Sequence, residues 1–565
     1  MNAFGSDPVP PSGPTPAAGP ASVSGPAPGP SARTRHIPGI GYWTAKAAFL
    51  HPHRTALVTN EGRLSYQELE EGVAAAAALL RARGVGPGDR FGILMWNDPR
   101  FLDLLFAAGR VGAVAVPLNW RLAAPELVFQ VEDAGLVLLF VGPEQAELGD
   151  EVVRATGCRA IRVPEGYDRA AAALGLGEAQ SAERAHRRSE AGPPRRPPAG
   201  PPPPMSTLPG DDDPVLMVYT SGTTGRPKGA VLTHRNLFWN AINDILALGI
   251  TWRDTSLTVL PLMHAGGIGL FTLPTLLAGG TVVLPRRFDA EETLDLIRDE
   301  EVTLMLGVPA IHTLLVDSPA WDDADLSSLR FIYNGGDRCP DRVADRLREK
   351  GVAFASGYGL TETAPTAFLT GLDDPGRGAG IVGKPAFGVD ARIVDGEGRE
   401  VAPGEVGEVV FQGPNLFREY WRRPDATAEA YRDGWFHSGD LASWTEAGLT
   451  RIAGRKKQML KSGGENIYPA EVEQALLEHP AVREACVIGR PHPVWNEVPF
   501  AVVALRGDGE GSESQLAELR SFLADRLARY KIPKGFAFVD ALPRTSIGKP
   551  DRPLLTRRYG GEEGP

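Results

Sequence analysis

The segment Tyr219-Thr-Ser-Gly-Thr-Thr-Gly-Arg-Pro-Lys-Gly-Ala230 is the most informative stretch of this chain. Hydroxyls at Thr220, Ser221, Thr223 and Thr224 stand among Gly222, Gly225 and Gly229, which let backbone N–H groups approach an anion. Lys228 adds a mobile positive charge. The run Pro214–Tyr219 (PVLMVY) before it has the character of a buried strand. Beyond it, Thr233 is placed to cap a helix running through Asn240 and Leu246. A strand, a glycine-rich loop and a helix in that order suit a polyphosphate.

The Walker loop, GxxxxGK[ST], is excluded. Counting from Gly222, Pro227 stands before the lysine and Gly229 takes the Ser/Thr place, so the magnesium-binding hydroxyl is missing. Further along, Asp289 and Glu292 fit a capping-box-like start to a helix ending near Asp299. The apolar strand Val302–Leu306 follows. Repetition of this pattern predicts an α/β protein, with a large N-terminal domain of mostly parallel sheets and helices. From Lys457 the units shorten. A helix near Ala470–Leu477 precedes strands near Ala485–Gly489 and Pro499–Leu505. A helix Glu513–Arg529 and a strand near Phe536–Val539 complete a small C-terminal α+β domain. Residues 1–36 are almost all Pro, Ala, Gly and Ser and read as a disordered tail. A Pro/Arg-rich stretch, 180–213, reads as a solvated insertion in the domain spanning 37–456.

Hydrophobic residues at 42% and charged residues at 23% fit a globular protein. A net charge of −11 argues against a nucleic-acid-coating protein. Cys158, Cys339 and Cys486 form no CxxC pair and no zinc spacing. The longest apolar run, Phe101–Trp120, is broken by Asp103 and Arg110, so no membrane span is expected. Without a basic-then-apolar leader, a cytoplasmic location is the expectation.

Five further segments complete the pattern: Asn334-Gly-Gly-Asp337, Gly357-Tyr-Gly-Leu-Thr-Glu-Thr363, His437-Ser-Gly-Asp440, Gly454-Arg-Lys-Lys-Gln-Met-Leu-Lys-Ser-Gly-Gly464 and Pro543-Arg-Thr-Ser-Ile-Gly-Lys549. Together with the phosphate loop, in this order from about Tyr42 to Arg552, they resemble the adenylate-forming superfamily. That superfamily holds acyl-CoA synthetases, adenylation domains of peptide synthetases and beetle luciferases. The wording Ser462-Gly-Gly-Glu-Asn-Ile-Tyr468 is similar to the fatty-acid and related CoA ligases.

The resemblance implies a role for each matching residue. Thr220, Ser221, Gly222, Thr223, Thr224 and Lys228 would hold the β- and γ-phosphates of ATP. Gly335, Gly336 and Asp337 would lie along the adenine edge, with Asp337 departing from the usual small residue. Tyr358 would stack on adenine, Thr361 would touch the α-phosphate, and Glu362 would hold Mg²⁺, a hard cation suited to carboxylate oxygen. Asp440 would accept from the ribose hydroxyls and Arg455 would reach the same sugar. Lys457 matches the hinge to a mobile C-terminal lid, 457–565. Lys461 matches a lysine near the nucleotide, while Gly463 and Gly464 match the path of CoA pantetheine. Lys549 matches the catalytic lysine, although Pro550 and Asp551 depart from the apolar residues common there.

Pro261-Leu-Met-His264-Ala-Gly-Gly-Ile-Gly-Leu270 is similar to the acyl-pocket motif, with His264 at a gating position. No acidic residue follows it to hold an ammonium, so a non-amino acid is expected. Gly266, Gly267 and Gly269 read as room for a fatty, alicyclic or aryl group. The implied function is ATP-dependent acyl-AMP formation followed by transfer to the CoA thiol. The alternative is a stand-alone ligase that loads a carrier-protein pantetheine in trans or stops at acyl-AMP. A luciferase-type oxygenase and a catalytically dead nucleotide sensor are the remaining readings.

Overall fold

The computed structural model describes residues 37–173, 200–220, 227–371, 380–462, 465–492, 495–506, 511–545 and 548–561. Two sheets carry the large domain. In the first, Ala160–Arg162, Leu138–Val141, Arg90–Leu94, Val114–Pro117 and Pro214–Thr220 lie parallel in that order. Lys228–Thr233 and Glu419–Tyr420 then continue the sheet antiparallel.

The second sheet has a parallel half. It runs Thr55–Thr59, Thr281–Leu284, Thr255–Leu257, Leu304–Gly307, Phe331–Asn334 and Phe354–Tyr358. Phe368–Leu369 turns the sheet antiparallel, and the order continues Ile381–Pro385, Thr450–Arg455, Trp435–Trp444, Gly407–Gln412 and Asp390–Val394. The α/β expectation holds, with this antiparallel block as an addition to it.

The apolar run beginning at Phe101 is a core helix, Pro99–Val111. Asp98 caps it, Pro99 opens it and Gly112, at φ 78°, closes it. Nearly every residue of this helix is buried, so it reads apolar all round. Among the described residues no helix is long and apolar enough to cross a membrane.

Local signals place several elements well. The helix after Thr233 is His234–Leu248, with a capping box between Thr233 and Asn236. Asp289 accepts from the amides of Glu291 and Glu292, while the Glu292 side chain turns to Asn60 instead of back to the cap. The strand expected at Val302 begins at Leu304, because the Val302 amide is spent on Ile297 O at the helix end. The 180–213 insertion also needs correction at its C-terminal end. Leu208 and Asp211 are buried, and the Asp211 carbonyl accepts from the Arg235 amide at 2.8 Å.

The small domain is a five-stranded sheet. Glu465–Ile467, Leu460–Ser462, Asn496–Leu505 and Val482–His492 are antiparallel, and Gly535–Phe538 runs parallel to Asn496–Leu505. Its two long strands are apolar on both faces. Val487, Ala501 and Val503 face the helices Pro469–Leu477 and Glu513–Ala524. Cys486, Ile488 and Val502 face Leu542 and Leu555. The second of those helices ends at Ala524, not Arg529. The chain then turns so that Lys531 pairs with Glu471 at 2.7 Å.

His234 and His312 are fully buried, and burial pushes both imidazoles down to about 4. An unfolded histidine protonates near 6.5, so the native state binds fewer protons and loses stability as pH falls through this window. The loss is about 2 kcal/mol per imidazole at pH 5. Urea midpoints should therefore drop between pH 7.5 and pH 5. His234→Gln, whose amide oxygen can still accept from Ile40 N–H, should flatten the slope by its share.

Candidate active site

The glycine-rich loop joins two antiparallel strands, not a strand and a helix. Thr220 and Lys228 are register partners, so the strands on either side of the loop pair as the two arms of a hairpin. The reason is the apolar run Ala230–Leu232, which completes a strand before the helix can start. Ser221, Gly222, Thr223 and Thr224 lie outside the described residues, as do Gly463 and Gly464. At the base of the hairpin, the Tyr219 hydroxyl donates to Asp133 at 2.8 Å, and Arg423 pairs with the same carboxylate at 2.7 Å.

Lys228 is brought to Glu362 by a residue the sequence reading passed over. The Lys228 ammonium sits 5.1 Å above the Tyr420 ring, and the Tyr420 hydroxyl donates to Glu362 Oε1 at 2.7 Å. Thr361 and Glu362 lie in a single 3₁₀ turn, Thr361–Thr363. Gly359 lies beside this turn so tightly that a Cβ there would strike the Pro365 carbonyl. Among the described residues no three acidic, His or Cys side chains converge on a metal position. One carboxylate suits an ion that brings its own phosphate and water ligands, as Mg²⁺ does.

On the second sheet, Asp440 is almost fully buried and pairs with Arg455 through Oδ1 at 2.7 Å, while Oδ2 accepts from the Tyr358 hydroxyl. Asp440 and Arg455 are register partners on adjacent strands, which fixes the pair. Burial raises the Asp440 carboxyl; Arg455, the Tyr358 hydroxyl and the charge of Lys549 pull it back. Each oxygen keeps acceptor capacity beyond its present partner. The Tyr358 ring lies 6.2 Å from Phe411 at 26°. Ser438 earns its place by accepting from the Asp440 amide at 3.0 Å.

Lys549 completes the group from the small domain. Its ammonium donates to Gly336 O at 3.0 Å. Gly336 has φ 81°, a conformation few side chains tolerate. Beside it, the Asn334 amide closes on the Asp337 carbonyl at 2.8 Å, and the Asp337 side chain accepts from the Arg338 amide. Gly335 packs toward Leu270. The Pro550-Asp551 departure has a structural cause: Asp551 caps the last helix, Arg552–Tyr559, accepting from Leu554 N. Lys457 sits in a 3₁₀ turn next to Lys456, which pairs with Glu408 at 2.8 Å. Glu408 also accepts from Gly439 N, so one carboxylate ties the Asp440 turn to the inter-domain link. Lys461 lies on the edge of the small domain with its side chain exposed.

His264 precedes the short helix Ala265–Gly269. Burial, with Arg121 nearby, lowers its imidazole to about 4, so it is neutral at working pH and is no proton donor there. The glycines after it do not all leave room. A Cβ at Gly267 would strike Pro261 O, and one at Gly269 would strike Ala364 and Pro365. Close packing explains those two; only at Gly266 is the nearest atom as far as 3.8 Å.

The groups of the candidate site lie within electrostatic reach of one another: Arg455 feels Asp440, Tyr358, Glu362 and Tyr420, and Asp440 feels Lys549. The AMP-binding enzyme family matches residues 44–421, and its C-terminal domain matches residues 471–549. The chain is 42% identical over 523 residues to a feruloyl-CoA synthase of Amycolatopsis sp., covering 92% of this chain and 99% of that one. It is 40% identical over 511 residues to an indoleacetate–CoA ligase of Aromatoleum aromaticum, covering 90% and 95%. The ATP-bound crystal structure of MatB from Rhodopseudomonas palustris superposes with a TM-score of 0.79 at 31% identity, covering 92% and 99%. The protein belongs to the AMP-binding enzyme family, in the acyl-CoA synthetase branch of the adenylate-forming superfamily.

Arg455→Leu leaves buried Asp440 with the Tyr358 phenol as its side-chain hydrogen-bond donor, at a cost of about 2 kcal/mol near neutral pH. Loss of the arginine raises the Asp440 carboxyl further. A carboxyl raised in the folded state stabilises at low pH and loses that contribution as pH rises. The deficit against the parent, read by urea unfolding, should therefore be largest at pH 7.5 and shrink toward pH 5.

Proposed function

We propose that this enzyme activates an aromatic carboxylic acid as its acyl-adenylate and passes the acyl group to the thiol of CoA, releasing AMP and pyrophosphate. The observation that carries the reading is the Lys549 ammonium at Gly336 O, within electrostatic reach of Asp440. It brings a small-domain cation to the group formed by Tyr358, Asp440 and Arg455.

A carboxylate is a poor acyl donor because its leaving group would be oxide. In the first half-reaction one carboxylate oxygen attacks the α-phosphorus of ATP, and the bond to the β-phosphate oxygen breaks. Positioning and charge neutralisation dominate such a step. In this reading Lys549 bridges the acid and the α-phosphate, with Thr361 on the same phosphate. Lys228 and the glycine-rich loop hold the leaving pyrophosphate. Asp440 accepts from the ribose hydroxyls, Arg455 steadies Asp440, and Gly335 to Asp337 border the adenine. Mg²⁺, bound at Glu362, supplies neutralisation of the phosphate charge.

In the second half-reaction the thiol sulfur attacks the acyl carbon and AMP leaves, taking the bonding electrons. We place the hinge at Lys457, so that the lid withdraws Lys549 and opens a path beside Lys461, Gly463 and Gly464. The aromatic class rests on the names of the two relatives. His264, neutral and beside the short helix Ala265–Gly269, is assigned to gating the acid and not to proton transfer.

Lys549→Ala should abolish acyl-AMP formation while largely sparing thiolation of pre-made adenylate. Equal loss of both half-reactions would overturn its assignment. Pyrophosphate release across a panel of aryl, arylalkanoic and fatty acids, with CoA and with a pantetheinylated carrier in parallel, tests the substrate and the acceptor. Highest kcat/KM with an aromatic acid and CoA is the expected result.

A further inference from the structure

Tyr420 lies between two charged groups on different elements, Lys228 on a strand of the first sheet and Glu362 in the turn Thr361–Thr363. Its strand, Glu419–Tyr420, pairs with Lys228–Thr233, so the ring is carried on the same sheet as Lys228. Its amide is held by Thr427 Oγ1 at 3.0 Å, and its ring packs 4.7 Å from Phe417. Phe417 in turn donates its amide to Glu362 O at 2.7 Å. The ring therefore has little freedom of its own. From this fixed position the hydroxyl reaches Glu362 Oε1 at 2.7 Å, and the ring face receives the Lys228 ammonium at 5.1 Å.

We propose that Tyr420 is a positioning residue for the nucleotide's phosphates and their metal: its hydroxyl turns Glu362 so that Oε2 is the oxygen offered, and its ring seats Lys228 until phosphate arrives. The proposal rests on the reading of Glu362 as the metal-holding carboxylate. A hydrogen bond from a neutral donor to one carboxylate oxygen fixes the carboxylate's orientation. A carboxylate that must present one oxygen to a small octahedral ion binds more tightly when it is already turned. The cation–π seat gives Lys228 a partner close to its target, which a phosphate then outcompetes by charge.

The test uses the full chain with three variants: Tyr420→Phe, Glu362→Gln and the double variant. Mn²⁺ is titrated into each enzyme with α,β-methylene-ATP, and free Mn²⁺ is read by electron paramagnetic resonance. The Mg²⁺ dependence of pyrophosphate release is measured alongside. Tyr420→Phe keeps the ring and loses only the hydroxyl. It should weaken Mn²⁺ binding about tenfold and raise half-saturating Mg²⁺ equally, with the KM for the acid unchanged. The double variant should bind Mn²⁺ no more weakly than Glu362→Gln alone. Parent-like Mn²⁺ binding by Tyr420→Phe, a full additional loss in the double variant, or an equal shift in the acid KM would each overturn the proposal. If Glu362→Gln leaves Mn²⁺ binding unaltered, the metal reading of Glu362 falls first, and the role of Tyr420 falls with it.

Discussion

One helix face holds the site together. On His234–Leu248, residues Asn236, Asn240 and Asn243 stand four and three apart and point the same way, into the protein. Asn236 donates to Pro414 O and Leu416 O; Asn240 donates to Gly269 O and accepts from Thr366 N; Asn243 accepts from Gly388 N. Asp244 accepts from the Thr366 hydroxyl at 2.8 Å. Buried loop backbone must find partners or cost free energy, and here one helix supplies them for four loops. Those loops carry the acyl-side helix, the residues after Glu362, and the start of the segment leading to Tyr420. Asn415 adds a second tie, donating to Thr363 O and Thr366 O.

On that scaffold the charges are arranged so that none is buried alone. Asp440 has Arg455 and a phenol, Glu362 has a phenol, and Glu408 has Lys456 and the Gly439 amide. Desolvating an unpaired charge costs far more than a pair repays, so each carboxylate arrives with a donor. Each of these carboxylates is therefore held in place by partners within the protein itself. Lys549 is the exception in kind, because it is the solvent-exposed end of a tight turn on the small domain. The lid movement proposed above would suit a cation carried on such a turn better than one inside a core.

The gains and losses of the sequence reading have separate physical causes. Capping residues and apolar runs act over a few positions, so Thr233, Asp289 and the strand Pro214–Thr220 were legible directly. The antiparallel block from Phe368 to Arg455 was missed because its strands vary from two to ten residues and mix buried with half-exposed positions, so no apolar run marks them. The asparagine face was illegible for a different reason. Polar residues at helical spacing ordinarily mark a solvated face, and nothing local says that these meet backbone instead. Glycine was ambiguous in the same way: Gly267 and Gly269 read as space, whereas they permit close contact. Tyr420 carried no signal, since its partners Lys228 and Glu362 are distant in the chain.

The sequence by itself determined the chemistry on offer: a hydroxyl- and glycine-rich loop with a lysine, a Thr-Glu pair, a Ser-Gly-Asp segment and a late lysine, in one order. These are properties of residue type and short spacing, which the chain carries before it folds. Only the tertiary structure decided that the loop joins the arms of a hairpin and that Arg455 faces Asp440 in register. It also decided that Tyr420 joins Lys228 to Glu362 and that Lys549 reaches Gly336. The last two join residues far apart in sequence, while the first two are register choices between consecutive strands. All four are fixed by sheet register and domain placement, which no local pattern encodes.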